Sequence, residues 1–219
     1  MKKSLFLTAA LLLTIRFANA QTQAGNQNIG LNFSFSTSSS NDEAIDPTSQ
    51  IETPYGNKNN AFSLGPAYSY FIKNNVDLGA SFSYSTDNQN YNAQPLGYPS
   101  TNNNSNFSAM VYLRRYFLFN DKFGFRFGPY LEYGRQKTSE IFPPADNTYN
   151  YTSATNSMYA GLNLGLVYYP AKHLGLATAL ADVNYQHYSA SGSQSADNGG
   201  SFNLSLFTSG LELSVFYIF

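Results

Sequence analysis

The chain has 219 residues, a formal net charge of −1 and no cysteine, and it combines few charged residues (11%) with many aromatic ones (16%). The absence of cysteine excludes a disulfide framework, thiolate catalysis and cysteine-based metal sites. The slightly acidic balance argues against nucleic acid as a partner.

The N-terminus has the pattern of a secretory signal peptide. Two lysines precede an apolar run from residue 5 to 15, and the Ala-Asn-Ala sequence at 18–20 supplies the small residues that signal peptidase reads. We expect residues 1–20 to be the signal peptide and residues 21–219 to form one domain. The apolar run is too short for a membrane-spanning helix, which needs about 20 residues. Without this segment, nine basic residues face 13 acidic ones, a net charge of about −4.

The rest of the chain alternates apolar and small polar residues with a period of two, which predicts β-strands with one apolar face. In the first strand Ile29, Leu31, Phe33 and Phe35 alternate with Gly, Asn and Ser. The same pattern predicts eight strands in total. They are 29–36, 62–72, 76–84, 107–119, 123–135, a sixth that carries Met158 to Tyr168, a seventh that begins at Leu174, and 202–219.

Two of these strands are irregular. The seventh loses its alternation around Asp182, so its register beyond Leu180 stays open. The eighth slips between Leu206 and Leu211, and we expect a β-bulge near Ser209-Gly210.

The connections alternate between long polar stretches and short turns. The long stretches are 38–60, 87–105, 137–155 and 189–201, and the turns are 73–75, 120–122 and 170–173. In a soluble β-barrel or sandwich, the main alternative, the face opposite the apolar one would be charged; here it is Gly, Ser, Asn and Ala. The sequence therefore predicts an all-β, eight-stranded antiparallel transmembrane β-barrel, an up-and-down meander with short turns on one side and four long extracellular loops on the other.

The chain resembles the small outer-membrane β-barrel family of Gram-negative bacteria, the OmpX and OmpA transmembrane-domain type. The resemblance rests on the signal peptide, the eight alternating strands, the Leu-Arg-Arg-Tyr-Phe segment at 113–117 and the aromatic C-terminus. It implies an outer-membrane location and insertion by the outer-membrane assembly machinery, which reads the last strand through Tyr217 and Phe219. A glycine is usual five residues before the final aromatic residue, and Ser214 stands there in this chain.

Four charged residues are predicted to form an interior polar network. An eight-stranded barrel is just wide enough for side chains to fill it, so we expect a filled lumen and no general diffusion pore. Arg114, Arg126 and Glu212 should point inward near the short turns, with Glu132 nearer the long loops. Buried charges need partners, so a structural Arg–Glu network is favoured over an ion path. Arg115 would face outward, although a slip of one residue would exchange it with Arg114.

Two functions fit such a barrel. One is a structural role in membrane integrity, and the other is adhesion or ligand binding through loops rich in Asn, Ser, Thr and Tyr. The expected partners are outer-membrane lipid, the assembly machinery and an extracellular ligand or surface. We expect a monomer that binds no nucleic acid.

A lipid A deacylase is a third possibility. His187 and Ser189 have the spacing of barrel-embedded deacylases, but such a pair needs a carboxylate to orient the His. Glu212 is the only carboxylate after Asp197, and Ala190 stands where that family has Asn. We therefore expect no enzyme.

We also expect no metal and no cofactor. An acidic group at Asp42, Glu43 and Asp46 lacks the spacing of a Ca²⁺-binding loop. Its residues are expected to be a solvated part of the first long loop.

Overall fold

The computed structural model describes residues 21–45, 52–91, 100–142, 149–192, 196–206 and 211–219. The predicted signal peptide, residues 1–20, lies outside these residues. No helix in the described ranges is long and apolar enough to cross a membrane.

Nine strands of the described chain form one antiparallel sheet. They are β1 (Gln27–Ile45), β2 (Glu52–Lys73), β3 (Val76–Tyr91), β4 (Thr101–Leu118), β5 (Phe123–Phe142), β6 (Tyr149–Ala171), β7 (Leu174–Gly192), β8 (Ala196–Leu206) and β9 (Leu211–Ile218). Consecutive strands pair from β1 to β7, β8 and β9 each pair with part of β7, and β9 also pairs with β1. Because β8 and β9 share the eighth position, the sheet closes as a ring of eight. The predicted antiparallel meander barrel is confirmed.

The last position is interrupted between β8 and β9. On β7 only three positions separate Thr178, which pairs with Leu213, from Ala181, which pairs with Leu206. Seven positions separate those two partners on the last strand. The predicted bulge near Ser209-Gly210 falls inside this interval and outside the described residues.

A β-bulge at Leu180 explains the lost alternation of β7. Leu164 of β6 pairs with Ala181, whereas Gly165 pairs with Ala179, so Leu180 is an extra residue on β7. The bulge inverts the phase of the strand and turns Asp182 toward the lumen, where it lines a cavity.

The in-phase apolar residues lie on the outside of the barrel, as predicted. Large apolar side chains are exposed on every strand described, and aromatic ones collect in two belts. One belt, near the short turns, contains Tyr68, Tyr70, Phe117, Phe119, Phe123, Tyr168, Tyr217 and Phe219; the other contains Phe35, Phe62, Tyr84, Phe107, Tyr133, Tyr185 and Phe202. The step from Phe123 to Tyr133 measures about 33 Å along a strand, or about 25 Å at a tilt of about 40°. That height matches the apolar band of an outer-membrane barrel.

The prediction of four long loops is wrong over most of their length. In the first stretch, residues up to Ile45 and from Glu52 onward are paired strands, with Ser39 opposite Lys58. The other three stretches likewise continue as strands up to Tyr91, Phe142 and Gly192 and resume within the next few residues. We call these paired extensions the arms. Antiparallel pairing satisfies their backbone groups in water as it does in lipid, so the ladder continues after the apolar pattern ends.

The lipid-facing assignment predicts a strong dependence on height. Val111 is 53% exposed near the middle of the apolar band, and Asn88 is exposed on the same outer face of an arm. We expect Val111→Arg to destabilise the folded barrel by about 2–4 kcal/mol, and Asn88→Arg by about 0–1 kcal/mol. Urea unfolding in lipid vesicles, followed by gel mobility without boiling, measures both. Equal effects of the two variants would contradict the assignment.

Candidate functional site in the lumen

An apolar layer, here called the floor, closes the lumen at the short-turn end. Its buried members are Phe71, Tyr116, Val167, Tyr169, Ala177, Phe216 and Ile218. The ring of Tyr169 meets that of Phe216 edge-on at 6.0 Å, and Phe71 lies 5.3 Å from Tyr116. These side chains are large inward-facing members of five different strands, so they fill the barrel cross-section at this level.

The segment before β1 covers this end. Gln21 and Thr22 are buried, and the Gln21 side chain donates a hydrogen bond to the carbonyl of Ala171 at 2.9 Å. The backbone of Thr22 accepts a hydrogen bond from Asn75, which adopts a left-handed conformation in the β2–β3 turn. Asparagine tolerates this conformation well, so the turn and the N-terminal segment hold one another over the floor.

A buried ion pair stands directly above the floor. Arg114 donates from Nε to Asp77 Oδ1 (3.2 Å) and from Nη2 to Asp77 Oδ2 (2.7 Å), and Tyr116 donates to Oδ2 at 2.9 Å. Asp77 is fully buried, so its charge is stable only with such partners. The Arg114 guanidinium also lies 3.8 Å from the centre of the Tyr112 ring, in cation–π geometry.

Arg115, the next residue, lies on the outer face. It is exposed and stands 5.2 Å from the ring of Phe117 in the short-turn belt. Strand alternation therefore separates the two arginines, one into the lumen and one to the membrane interface, where a long side chain reaches water.

Arg126 lines the same cavity as Arg114 and is only 9% exposed. It pairs in register with Tyr116 on β4 and with Gly165 on β6. A Cβ atom added at Gly165 would lie 3.3 Å from Arg126 Nε, so the glycine leaves room for the arginine. That Nε atom is buried without a hydrogen-bond partner among the described residues.

The two glutamates of the predicted network have different standing. Glu132 lines the lumen farther toward the arms, at the boundary between two cavities. Glu212 pairs in register with Ser34, but its side chain lies outside the described residues. Its pairing with Arg114 or Arg126 stays a prediction.

Sequence reasoning missed Asp77 as the partner of Arg114. A carboxylate one residue after Val76 and a tight turn looked like a solvated turn residue. A signal was nevertheless present. If the outermost apolar residues of β3 and β4, Tyr84 and Phe107, are placed opposite one another, antiparallel register puts Asp77 opposite Arg114, as the structure has it.

A second polar group lies farther from the floor. Tyr130 donates a hydrogen bond to Asp182 at 3.0 Å, and the Asn184 side chain donates to the same oxygen at 2.5 Å. The bulge at Leu180 creates this group, because without it Asp182 would face the lipid.

The lumen is not completely filled, contrary to the prediction. A cavity of about 260 Å³ lies above the floor, and a second of about 430 Å³ lies nearer the arms; both touch Tyr130 and Glu132. The inward residues at these levels are largely Gly, Ser, Ala and Asn, for example Gly30 and Ser81, whose small volume leaves space between the walls.

The aromatic C-terminus closes the barrel on the outer face. The backbones of Gln27 and Phe219 exchange two hydrogen bonds, of 2.9 and 3.0 Å. Tyr217 stacks between His173 and Phe219, with ring centres 5.5 and 6.4 Å apart. Both Tyr217 and Phe219 are more than half exposed to the membrane side.

The residues of the deacylase hypothesis lie on the arm of β7. His187 and Ser189 are exposed, and their cross-strand neighbours are Met158, Gly200, Asn156 and Asn198. None of these neighbours is a carboxylate that could orient the imidazole. The side chains of Asp42, Glu43 and Asp46 lie outside the described residues.

Comparisons with known proteins agree with this architecture. The sequence matches the family described as "Outer membrane protein beta-barrel domain" over residues 5–219. No curated protein matches it significantly. Similar solved structures include Neisserial surface protein A (14% identity, 89% of this chain and 97% of that chain, TM-score 0.40) and OprG from Pseudomonas aeruginosa (15%, 91% and 98%, 0.45). A third is Ail, the attachment invasion locus protein of Yersinia pestis (12%, 90% and 100%, 0.35).

The buried ion pair makes a prediction about stability. Asp77→Asn leaves the buried Arg114 guanidinium without an anion, so we expect a loss of about 3–5 kcal/mol. Asp121→Asn, in the β4–β5 turn at the same end of the barrel, serves as the control with little expected effect. Urea unfolding of the refolded barrel measures both. A double variant, Asp77→Leu with Arg114→Met, should recover much of the loss; equal stability of Asp77→Asn and Asp121→Asn would disprove the role of the pair.

Proposed function

Because the chain belongs to the outer membrane protein β-barrel domain family, we propose that it is a closed, non-conducting membrane anchor that carries its four arms on the cell surface. The protein is an outer-membrane protein of the Gram-negative type. In such barrels the short turns face the periplasm and the longer connections face outward. The floor is then periplasmic and the arms are extracellular.

The floor is the observation that carries this proposal. Its seven buried side chains and the covering segment at Gln21 and Thr22 leave no open path to the periplasm among the described residues. General diffusion through the lumen would require that layer to open. We therefore assign transport no part in the function.

The arms support a role in surface contact. They carry Asn, Ser, Thr, Tyr and Gln on paired strands, and so present hydrogen-bonding groups from a rigid scaffold. Paired strands lose less conformational entropy on binding than free loops do. In this proposal the protein acts as a monomer, without catalysis. Its partners are outer-membrane lipid, the assembly machinery that reads Tyr217 and Phe219, and a ligand or surface outside the cell.

A conductance experiment tests the closed floor. We expect the refolded protein to show no ion conductance in a planar lipid bilayer. Replacing Phe71 and Tyr169 together by Ala should open a path and produce conductance, because it removes two rings from the floor. Phe117→Ala, an exposed aromatic residue near the same end, is the matched control. Stable conductance of the unaltered protein would refute the proposal.

Shortening one arm tests the surface role. Ser38 and Asn59 are cross-strand neighbours, so residues 39–58 can be replaced by an Asn-Gly turn without opening the barrel. We expect the shortened protein to keep its boiling-dependent gel shift and to lose cell adhesion to surfaces. If adhesion persists and only resistance to detergent depends on the protein, the role is structural instead.

A further inference from the structure

The larger cavity has a composition that the anchoring role does not require. This cavity, here called the vestibule, measures about 430 Å³, a size typical of small-molecule sites. Its wall contains Asp87 on β3, Glu132 and Gln136 on β5, and Tyr159 on β6, and no basic side chain among the described residues lines it. It lies between the floor and the arms, on the extracellular side of the smaller cavity.

Charge is sorted between the two faces of the strands at this level. Asp87 and Glu132 face inward, and Glu140 follows on the inward phase of β5. The basic residues Arg135 and Lys137 fall on the outward phase of the same strand and are exposed. Lys58 on β2 is likewise outward and exposed. In these arms the inner surface is therefore acidic and the outer surface basic, and the low-dielectric walls strengthen the field inside.

Several buried acceptors on this side of the lumen have no donor. Among the described residues, one side-chain oxygen each of Asn57, Asn59, Asp87 and Asn102 is buried without a hydrogen-bond partner. They belong to three adjacent strands, and Asn59 and Asn102 both pair with Gln89, two residues from Asp87. Each unsatisfied acceptor costs about 1–3 kcal/mol, so a ligand with several donors gains by entering here.

These features select one class of ligand. An anion would meet only carboxylates, and a neutral polyol would leave the charges of Asp87 and Glu132 without compensation. The described residues contain no group of three His, Asp or Glu side chains that could hold a metal ion. A cationic amine supplies both the charge and the N–H donors, and Tyr130 and Tyr159 offer ring faces for a cation.

We propose that the vestibule binds a small organic polyamine, with Asp87 and Glu132 pairing with its ammonium groups. Tyr130 is held in place by its hydrogen bond to Asp182, so one wall of the site is preorganised. Because the floor closes the other end, the ligand enters and leaves on the extracellular side. The site captures the amine and does not conduct it.

Calorimetric titration of the refolded full barrel with spermidine tests this proposal. We expect saturable binding of one spermidine per barrel, weakened about tenfold or more by Asp87→Asn, since a hydrogen bond to a charged group is lost. Glu132→Gln should weaken it similarly. Asp121→Asn removes the same charge from the periplasmic turn and should leave the affinity unchanged, which separates the site from general attraction to an acidic protein.

Folding and ligand class are controlled in parallel. Each variant is used only after its boiling-dependent gel shift matches that of the unaltered protein; if Asp87→Asn fails this check, Asp87→Ser takes its place. Citrate and N-acetylglucosamine are titrated as an anion and a neutral polyol, and neither should bind. Spermidine binding that is absent, equally weakened by Asp121→Asn, or matched by citrate or the sugar would overturn the proposal.

Discussion

Closure of the backbone ladder between β1 and β9 is the constraint on which the rest of the structure depends. In lipid, an unpaired peptide group costs several kcal/mol, so a sheet that spans the membrane can have no free edge there. The pairing of residues 28–35 with 211–218, completed by the two bonds between Gln27 and Phe219, removes that edge. Once the ring is closed, every strand has one face in lipid and one in a narrow lumen. Each side chain must then suit one environment or the other.

The lumen imposes the second requirement, because a charge that enters it must find a partner there. Asp77 and Arg114 meet this requirement directly, since they are cross-strand neighbours with two hydrogen bonds and a third from Tyr116. The pair lies against the floor, where large rings exclude water. Its geometry fixes the register of β3 against β4 near the periplasmic turn, at the point where the apolar pattern alone would tolerate a slip.

The strand faces were predictable because a period of two is local, and it identifies the lipid side of each strand without any knowledge of neighbours. The arms were not, because their strands are held by cross-strand pairing of polar residues, which leaves no apolar alternation in the sequence. The partner of Arg114 needed register, which the aligned ends at Tyr84 and Phe107 contain. The bulge at Leu180 was visible only as lost phase, since its position depends on the packing of β6 against β7. The cavities depend on the summed volume of side chains from all strands.

Inward side chains are not distributed evenly along the barrel axis. Large rings, including Phe71, Tyr169 and Phe216, lie at the periplasmic end, and glycine, serine and carboxamides lie above them. A barrel that served only to hold its arms would be more stable with its whole lumen packed, because empty volume forfeits dispersion contacts. The gradient therefore gives up packing only on the extracellular side. There the acidic lining is open to solutes, and the floor below it keeps the membrane sealed.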